Sequence, residues 1–174
     1  MENLRLTLRP VGVDDLELLE REAVDPDLRG YANWFGFGDA GSVRRRFEAD
    51  GFLGDDHGQL IVQSGDEAIG IVSWHAVHHG PGAWNRCWNV GIALLPAWRG
   101  RGYGGPAQRA LAEYLLANTA VMRIEASTRT DNLAEQRALE KAGFFREGVL
   151  RSAQFHDGAW RDLVVYSFLR TDRA

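Results

Sequence analysis

The sequence predicts an α/β (α+β) fold as a single domain over residues 1–174. The expected architecture is a mixed, mostly antiparallel central sheet of about seven strands flanked by about four helices, in the order β-α-α-β-β-β-α-β-α-β-β. A period-two start and a meander of short strands with tight turns across residues 59–95 predict the sheet. Helical faces with capping signals predict the helices on either side of a later strand. A hairpin signal, Asp157-Gly158, predicts that the chain closes on two antiparallel strands.

In chain order, Leu4, Leu6 and Leu8 alternate with Arg5, Thr7 and Arg9 in a half-buried strand that Pro10 ends. Residues 13–23 open with acids, which suit a helix N-terminus, and carry Leu16, Leu19 and Ala23 on one face. The segment YANWFGFGDAGS mixes Tyr31, Trp34, Phe35 and Phe37 with glycines. These aromatics are expected mainly to pack on the core, with some walling of a pocket. A second helix is expected near 41–53. Strands follow at QLIVQ, AIGIVSWHAV and CWNVGIALLP, broken by Gly65-Asp66 and a Gly/Pro loop at 80–83. The next helix presents Ala107, Ala110, Leu111, Tyr114 and Leu115 on one face with Pro106 in its first turn. VMRIEAST is a strand. Asn132, with Glu135 three residues on, caps a helix that stops at Gly143.

Composition bounds the function. At 45% apolar and 25% charged residues with a net charge of -4, the chain reads as a soluble globular protein. A broad basic face for nucleic acid is not expected. Cys87 is the single cysteine, expected to be a small buried apolar residue rather than a nucleophile. The opening MENLRLTLRP lacks the apolar run of a secretion signal, and no stretch approaches a membrane span, so a cytoplasmic location with no membrane partner is expected.

The most informative stretch is WRGRGYGGPAQRALAEYLL, where glycines and Arg99 and Arg101 directly precede a helix. Unpaired amides at a helix start carry the positive end of its dipole, so such a turn suits a pyrophosphate. Gly100, Gly102 and Gly105 also satisfy GxGxxG, and Glu125 lies 20 residues beyond the last of them. A dinucleotide fold is nevertheless disfavoured, because the strand ends near Pro96, well before the first glycine. Too little chain follows for a doubly wound sheet.

These residues resemble the GNAT superfamily of N-acetyltransferases, whose pyrophosphate motif Q/R-x-x-G-x-G/A is matched by Arg99, Gly102 and Gly104. LRLTLRP, VGIALLPAWRGRGYG, RIEAST, NLAEQRALEKAGFFREGVLR and RDLVVYSFLR are similar to the RimJ/RimL branch, nearly along the whole chain. The resemblance implies a GNAT fold and acetyl-CoA as cosubstrate, without a metal. Amides from Arg101 through Gly102 and Tyr103 to Gly104, with Arg99 and Gly100 beside them, would cradle the pyrophosphate. Ala93, Leu94 and Leu95 would pair with the pantetheine arm, and an amide of this strand, assigned to Leu94, would stabilise the oxyanion. Asn132 matches a cofactor-contacting asparagine of the family, alongside its capping role, and Arg137 and Lys141 are weaker candidates for phosphate contacts.

The chain also departs from the family pattern. The tyrosine that serves many members as general acid is replaced by Leu139, a common serine by Glu135, and a glutamate base by Asn89. Candidate catalytic groups are therefore Leu94, Glu125, His75 and Asn89. Glu125 is expected to orient or deprotonate the amine, or else to pair with Arg123. His75, His78 and His79 are expected to border the acceptor side, each as an ordinary surface residue or one as a proton relay through water, and a metal is not expected, since no carboxylate or thiol partner is spaced with them. His156, Asp162 and Tyr166 stand between acceptor contact and structural roles. Arg44, Arg45 and Arg46 point in different directions on a helix, so a solvated face is expected, with one of them left for an acidic acceptor. The expected partners are acetyl-CoA and an amine, either a peptide N-terminus or a small molecule. The competing reading is a CoA-binding sensor that has lost turnover. The oligomeric state is open, a homodimer included.

Overall fold

The computed structural model describes residues 6–172. Leu4 and Arg5 of the first predicted strand lie outside the described residues, and the remainder forms β1 (Leu6–Pro10). It pairs antiparallel with β2 (His57–Ser64), β2 with β3 (Glu67–His78), and β3 with β4 (Arg86–Leu94). β5 (Arg123–Arg129) joins β4 in parallel, and β7 (Ala159–Leu169) lies between β5 and β6 (Phe145–His156). The sheet order is β1-β2-β3-β4-β5-β7-β6. The predicted Asp157-Gly158 turn joins β6 to β7 with φ of 50° and 72°, the left-handed backbone that a tight hairpin requires.

Helices cover both faces. α1 (Leu16–Val24) follows a short 3₁₀ turn over Val13–Asp15, which the sequence reading merged with it. α3 (Gly41–Asp50) stops at Gly51, whose φ of 60° terminates the helix before the expected residue 53. With Val43 and Phe52, the α1 residues Leu16 and Leu19 meet Ile61 in a small core on one face. On the other face, α4 (Gly104–Asn118) and α5 (Leu133–Lys141) enclose the main core with Val72, Trp74, Val90, Ile124 and Phe168. The alternation Leu60/Ile61/Val62 divides β2 between the two cores, as a strand buried on both faces must. α4 buries Ala107, Gln108, Leu111, Ala112, Leu115 and Leu116. Ala107, Leu111 and Leu115 of the expected face are buried, Ala110 is half-buried, and Tyr114 is not buried. Tyr114 is 38% exposed and lies tilted against Trp74, because the helix packs between the sheet and α5 and so buries a wider stripe.

One irregularity positions everything that follows. β4 and β5 pair only at Trp88↔Ile124, Asn89↔Glu125 and Val90↔Ala126, although β4 continues to Leu94 and β5 to Arg129. Beyond Val90 the two strands part, and a cleft opens between them under the N-termini of α4 and α5.

Candidate active site

The cleft has a volume of about 430 Å³ and is lined by Ile92, Ala93 and Leu94 of β4, by the glycine turn, by α5 and by residues 29–33. It continues into a recess of about 130 Å³ beside Gly91, Ser127 and Arg129. A second recess, of about 320 Å³, reaches Ile71 and Ser73 under Phe35.

The cleft side of β4 is an open edge. Leu95 N–H donates to Ile69 O (2.9 Å), and Ala93 O lies against Gly70, so both residues direct their main-chain groups toward β3. Successive residues of a strand face opposite edges, which leaves Ile92 and Leu94 on the cleft side. Their carbonyls accept from Asn33 Nδ2 (3.1 Å) and Arg99 Nε (2.8 Å). Ala93 and Leu95, expected to pair with an extended ligand, therefore have their hydrogen-bonding groups engaged elsewhere. On the cleft side the carbonyls of Ile92 and Leu94 are taken by side chains, and the N–H groups of these two residues are what the edge leaves open. A period of two reveals that the residues alternate but not which alternate residues face which edge.

Arg99 lines the cleft beside the glycine turn, but its guanidinium is already engaged. Beyond Leu94 O, its guanidinium donates to Asp27 O (3.0 Å) and Leu28 O, both on α2 (Pro26–Arg29). Arg99 fastens the end of β4 to that short helix rather than presenting a free cation. Arg101 is exposed and stacks on Trp98 at 5.3 Å, outside the cleft lining. The Tyr103 side chain is buried, meeting Trp98 edge-on (5.2 Å) and Ser64 Oγ (3.3 Å). What the turn presents to the cleft is thus largely backbone. Gly100 and Gly102 have φ of 72° and 88°, with open space where a Cβ would stand. Their glycine identity answers to backbone conformation, and the space is available to a ligand. The first amides of α4 have no partner within the helix, and Pro106 removes one of them. Arg137 and Lys141 line the same cleft.

Asn132 combines its two expected placements. Its Oδ1 accepts from Glu135 N–H (3.4 Å) as helix cap, its Nδ2 donates to Thr128 Oγ1 (3.0 Å), and it lines both the cleft and the adjoining recess.

In the aromatic segment Tyr31 lines the cleft and Phe35 both recesses, and Tyr31, Phe35 and Phe37 are exposed at 56%, 61% and 84% rather than packed in the core. The segment hangs on buried His156, whose Nε2 meets Tyr31 O (3.0 Å) and whose ring takes Tyr31 and Phe35 edge-on at 4.9 and 5.1 Å. Arg129 Nη1 meets the other ring nitrogen at 2.9 Å and sits 4.4 Å from the Tyr31 ring. His156 is a support for the wall. Asp162 accepts from Ser152 N–H (2.8 Å), and buried Tyr166 donates to Glu140 (3.2 Å). These two are structural.

His75, Asn89 and Glu125 line neither the cleft nor its two recesses. His75 is exposed and pairs across the sheet with Asn89. Glu125 Oε1 takes Arg123 Nε at 2.5 Å and His79 Nε2 at 2.6 Å, so the pairing role describes it. Arg123 reaches on to Glu147, whose carboxyl this guanidinium pulls down to about 2. Contrary to the spacing argument, folding does bring a carboxylate and a thiol to a histidine: ligand atoms of His79, Cys87 and Glu125 lie within 4.8 Å of one another. Arg123 occupies the same Glu125 oxygen as His79, and burial pushes the Cys87 thiol up to about 11, which fits the expected inert cysteine. Among Arg44, Arg45 and Arg46, the first pairs with Glu20 (2.6 Å), the second with Asp39, and Arg46 lies over Phe52 (4.9 Å) while lining the larger recess.

Two carboxyl groups escaped the sequence reading as site residues. Glu22 on α1 is 6% exposed and faces the larger recess, and burial raises its pKa against the opposing charges of Arg29 and Arg99. Glu135, noted only as a helix-start residue and a departure from the family pattern, lines both the cleft and the smaller recess. Burial pushes it up to about 7 despite the lowering effect of the Gln108 amide. Leu139, at the position of the family tyrosine, is fully buried in the main core.

Comparison with known proteins agrees with this geometry. Residues 5–145 match the family model of the acetyltransferase (GNAT) domain. An uncharacterized N-acetyltransferase, p20, of Bacillus licheniformis is 27% identical over 98% of this chain and 96% of its own. Spermidine N-acetyltransferase from Vibrio cholerae, solved with CoA and spermine, superposes with a TM-score of 0.83 over 98% of both chains at 18% identity. RimJ of Mycobacterium smegmatis, solved with CoA-disulfide, superposes with a TM-score of 0.79 over 97% of this chain and 83% of its own at 21% identity. Among the described residues no helix is long and apolar enough to cross a membrane. With its seven-stranded sheet, parted central strands and family-model match, the chain belongs to the GNAT family of acetyl-CoA-dependent N-acetyltransferases.

Proposed function

We propose that the protein transfers the acetyl group of acetyl-CoA to a primary amine, an α-amine of a peptide or a small-molecule amine, by direct attack of nitrogen on the thioester. One observation carries this reading: the glycine turn at the start of α4 and the open edge at Ile92 and Leu94 border a single cleft. The amides of residues 101–104 suit a diphosphate, with Arg137 and Lys141 adding charge at the rim. The Ile92 N–H suits a carbonyl of the pantetheine arm. The Leu94 N–H is the group we assign to the thioester oxygen, where a hydrogen bond strengthens as negative charge develops. The recesses beneath Phe35 would admit the amine.

The choice of amine follows from acidity. An α-amine of pKa near 8 is neutral in roughly a tenth of molecules at pH 7, against fewer than about one in a thousand for lysine. The solved neighbours divide between a polyamine enzyme and RimJ, so the acceptor is to be decided by a screen. Acetyl-CoA is offered with α-amino peptides, N-terminally blocked lysine peptides and small amines, and thiol release and product mass are read. Turnover with an α-amino peptide or a low-pKa amine, exceeding the lysine peptides at least tenfold, is expected. Tight CoA binding without thiol release on any amine would overturn acetyl transfer and leave the sensor.

A further inference from the structure

We infer that Glu135 is the proton-transfer residue of this protein, taking a proton from the acceptor nitrogen and returning it to the departing sulfur; the inference rests on the acetyl-transfer reading above. Of the side chains named so far, Asn132 and Glu135 both belong to α5 and its cap and line both the cleft and the smaller recess. Only the second can gain and lose a proton. Glu135 sits in the first turn of α5, and the Asn132 cap holds its backbone N–H (3.4 Å), so its position is set by the helix and not by a loop.

The other candidates are disposed of by placement. Leu139 has no ionisable group and lies wholly in the core, while His75, Asn89 and Glu125 face none of these cavities. Glu22 faces the larger recess alone among these cavities, and Tyr31 and Tyr103 line the cleft but not the smaller recess, so proton transfer where those two cavities meet falls to Glu135.

The reaction balances with this one group. A neutral amine attacks the thioester carbon, forming the C–N bond and moving the carbonyl π electrons onto oxygen. The Glu135 carboxylate takes the proton from the now cationic nitrogen. As the carbonyl re-forms, the C–S bond breaks with its electron pair on sulfur, and protonated Glu135 gives its proton to that thiolate. Amide and CoA thiol leave, Glu135 is again ionised, and no net proton is exchanged.

The electrostatics suit a group of this kind. Arg137 and Lys141 share its helix and line the cleft, and the N-terminal dipole of α5 also favours the anion. Arg99 and Arg29 across the cleft donate to main-chain carbonyls, and Arg129 of β5 is held by Asp131 (3.0 Å) and His156. None of these forms an ion pair with Glu135 among the described residues, and Gln108 approaches it from α4 as a neutral amide. Burial prevails, and a carboxyl near 7 is available in both protonation states at neutral pH, where a proton shuttle is most effective.

The test uses the full chain with the fastest amine of the screen, following kcat and KM from about pH 5.5 to about 9 for the wild type, Glu135→Gln and Glu135→Asp, with CoA affinity measured by calorimetry. Glu135→Gln is expected to lower kcat by about 100-fold or more and to erase the rise in rate near neutral pH, with CoA affinity within about threefold. Glu135→Asp should keep a pH limb at intermediate kcat. A glutamine variant that retained kcat within about threefold, or kept the same limb, would overturn Glu135 alone and leave acetyl transfer standing. A wild type that bound CoA and acetylated no amine would overturn both. A purely structural role would move KM without removing the limb.

Discussion

Gly100, Gly102, Gly104 and Gly105 look equivalent in the sequence but answer to different physical demands. The first two hold left-handed backbone next to open space, whereas a Cβ at Gly104 would stand 3.3 Å from Ala138 Cβ and one at Gly105 3.2 Å from Ala138 O. One pair shapes the turn, and the other lets α4 approach α5. Substitution should separate these roles. Gly102→Val forces a branched side chain into a left-handed conformation that disfavours L-residues by about 1–2 kcal/mol, so CoA affinity should fall about tenfold or more while the circular dichroism spectrum is preserved. Unaltered affinity in the folded variant would remove the turn from the binding site.

At the scale of elements, Arg99 joins β4 to α2, and Asn33 joins the aromatic segment to the same strand. Both clasps were invisible in the sequence. Arg99 fell on a motif position where the family resemblance implied a phosphate neighbour, and nothing in residue spacing tells a cation that meets a ligand from one that meets carbonyls. The strands and helices themselves read well, because alternation at β1, the Gly65 turn, the Asn132 cap and the Gly143 stop are local signals. The four-residue α2 escaped, though Asp25 caps it and Pro26 occupies its first position. Arg99→Ala should lower stability by about 2 kcal/mol in urea denaturation, with faster amide exchange over residues 25–30 and a raised KM for acetyl-CoA. Arg99→Lys should not rescue, since a single ammonium lacks the planar fork that reaches carbonyls on two elements. Full rescue by lysine would reduce the clasp to a matter of charge.

Across the whole molecule, placing a raised carboxyl beside a cavity affects folding as well as chemistry. Glu135 stands near 7 in the folded protein against 4.5 as its ordinary value, so below about pH 4 it is neutral in both states and has no differential effect. As pH rises from 4.5 toward 7 the unfolded chain loses this proton first, and stability falls until the folded group also ionises. Glu135→Gln should therefore raise stability at pH 8 by on the order of 2 kcal/mol and leave it unchanged near pH 4, as read from urea midpoints. Equal midpoints at both pH values would show that the carboxyl is well solvated. Such a group is not legible in sequence, because its burial is produced by α4, which brings Gln108 to it from far along the chain. For the same reason the aromatic segment reads as core material when its anchors, His156 and Arg129, lie more than 90 positions away.

The separation of β4 from β5 after Val90 leaves a central sheet whose middle seam is unzipped for part of its length. An extended guest lying in that seam would stand in for a missing ribbon of polypeptide, closing a gap that the chain itself never closes. On the proposed reading the acyl donor would act partly as a removable piece of architecture, taken out and replaced at each round of turnover.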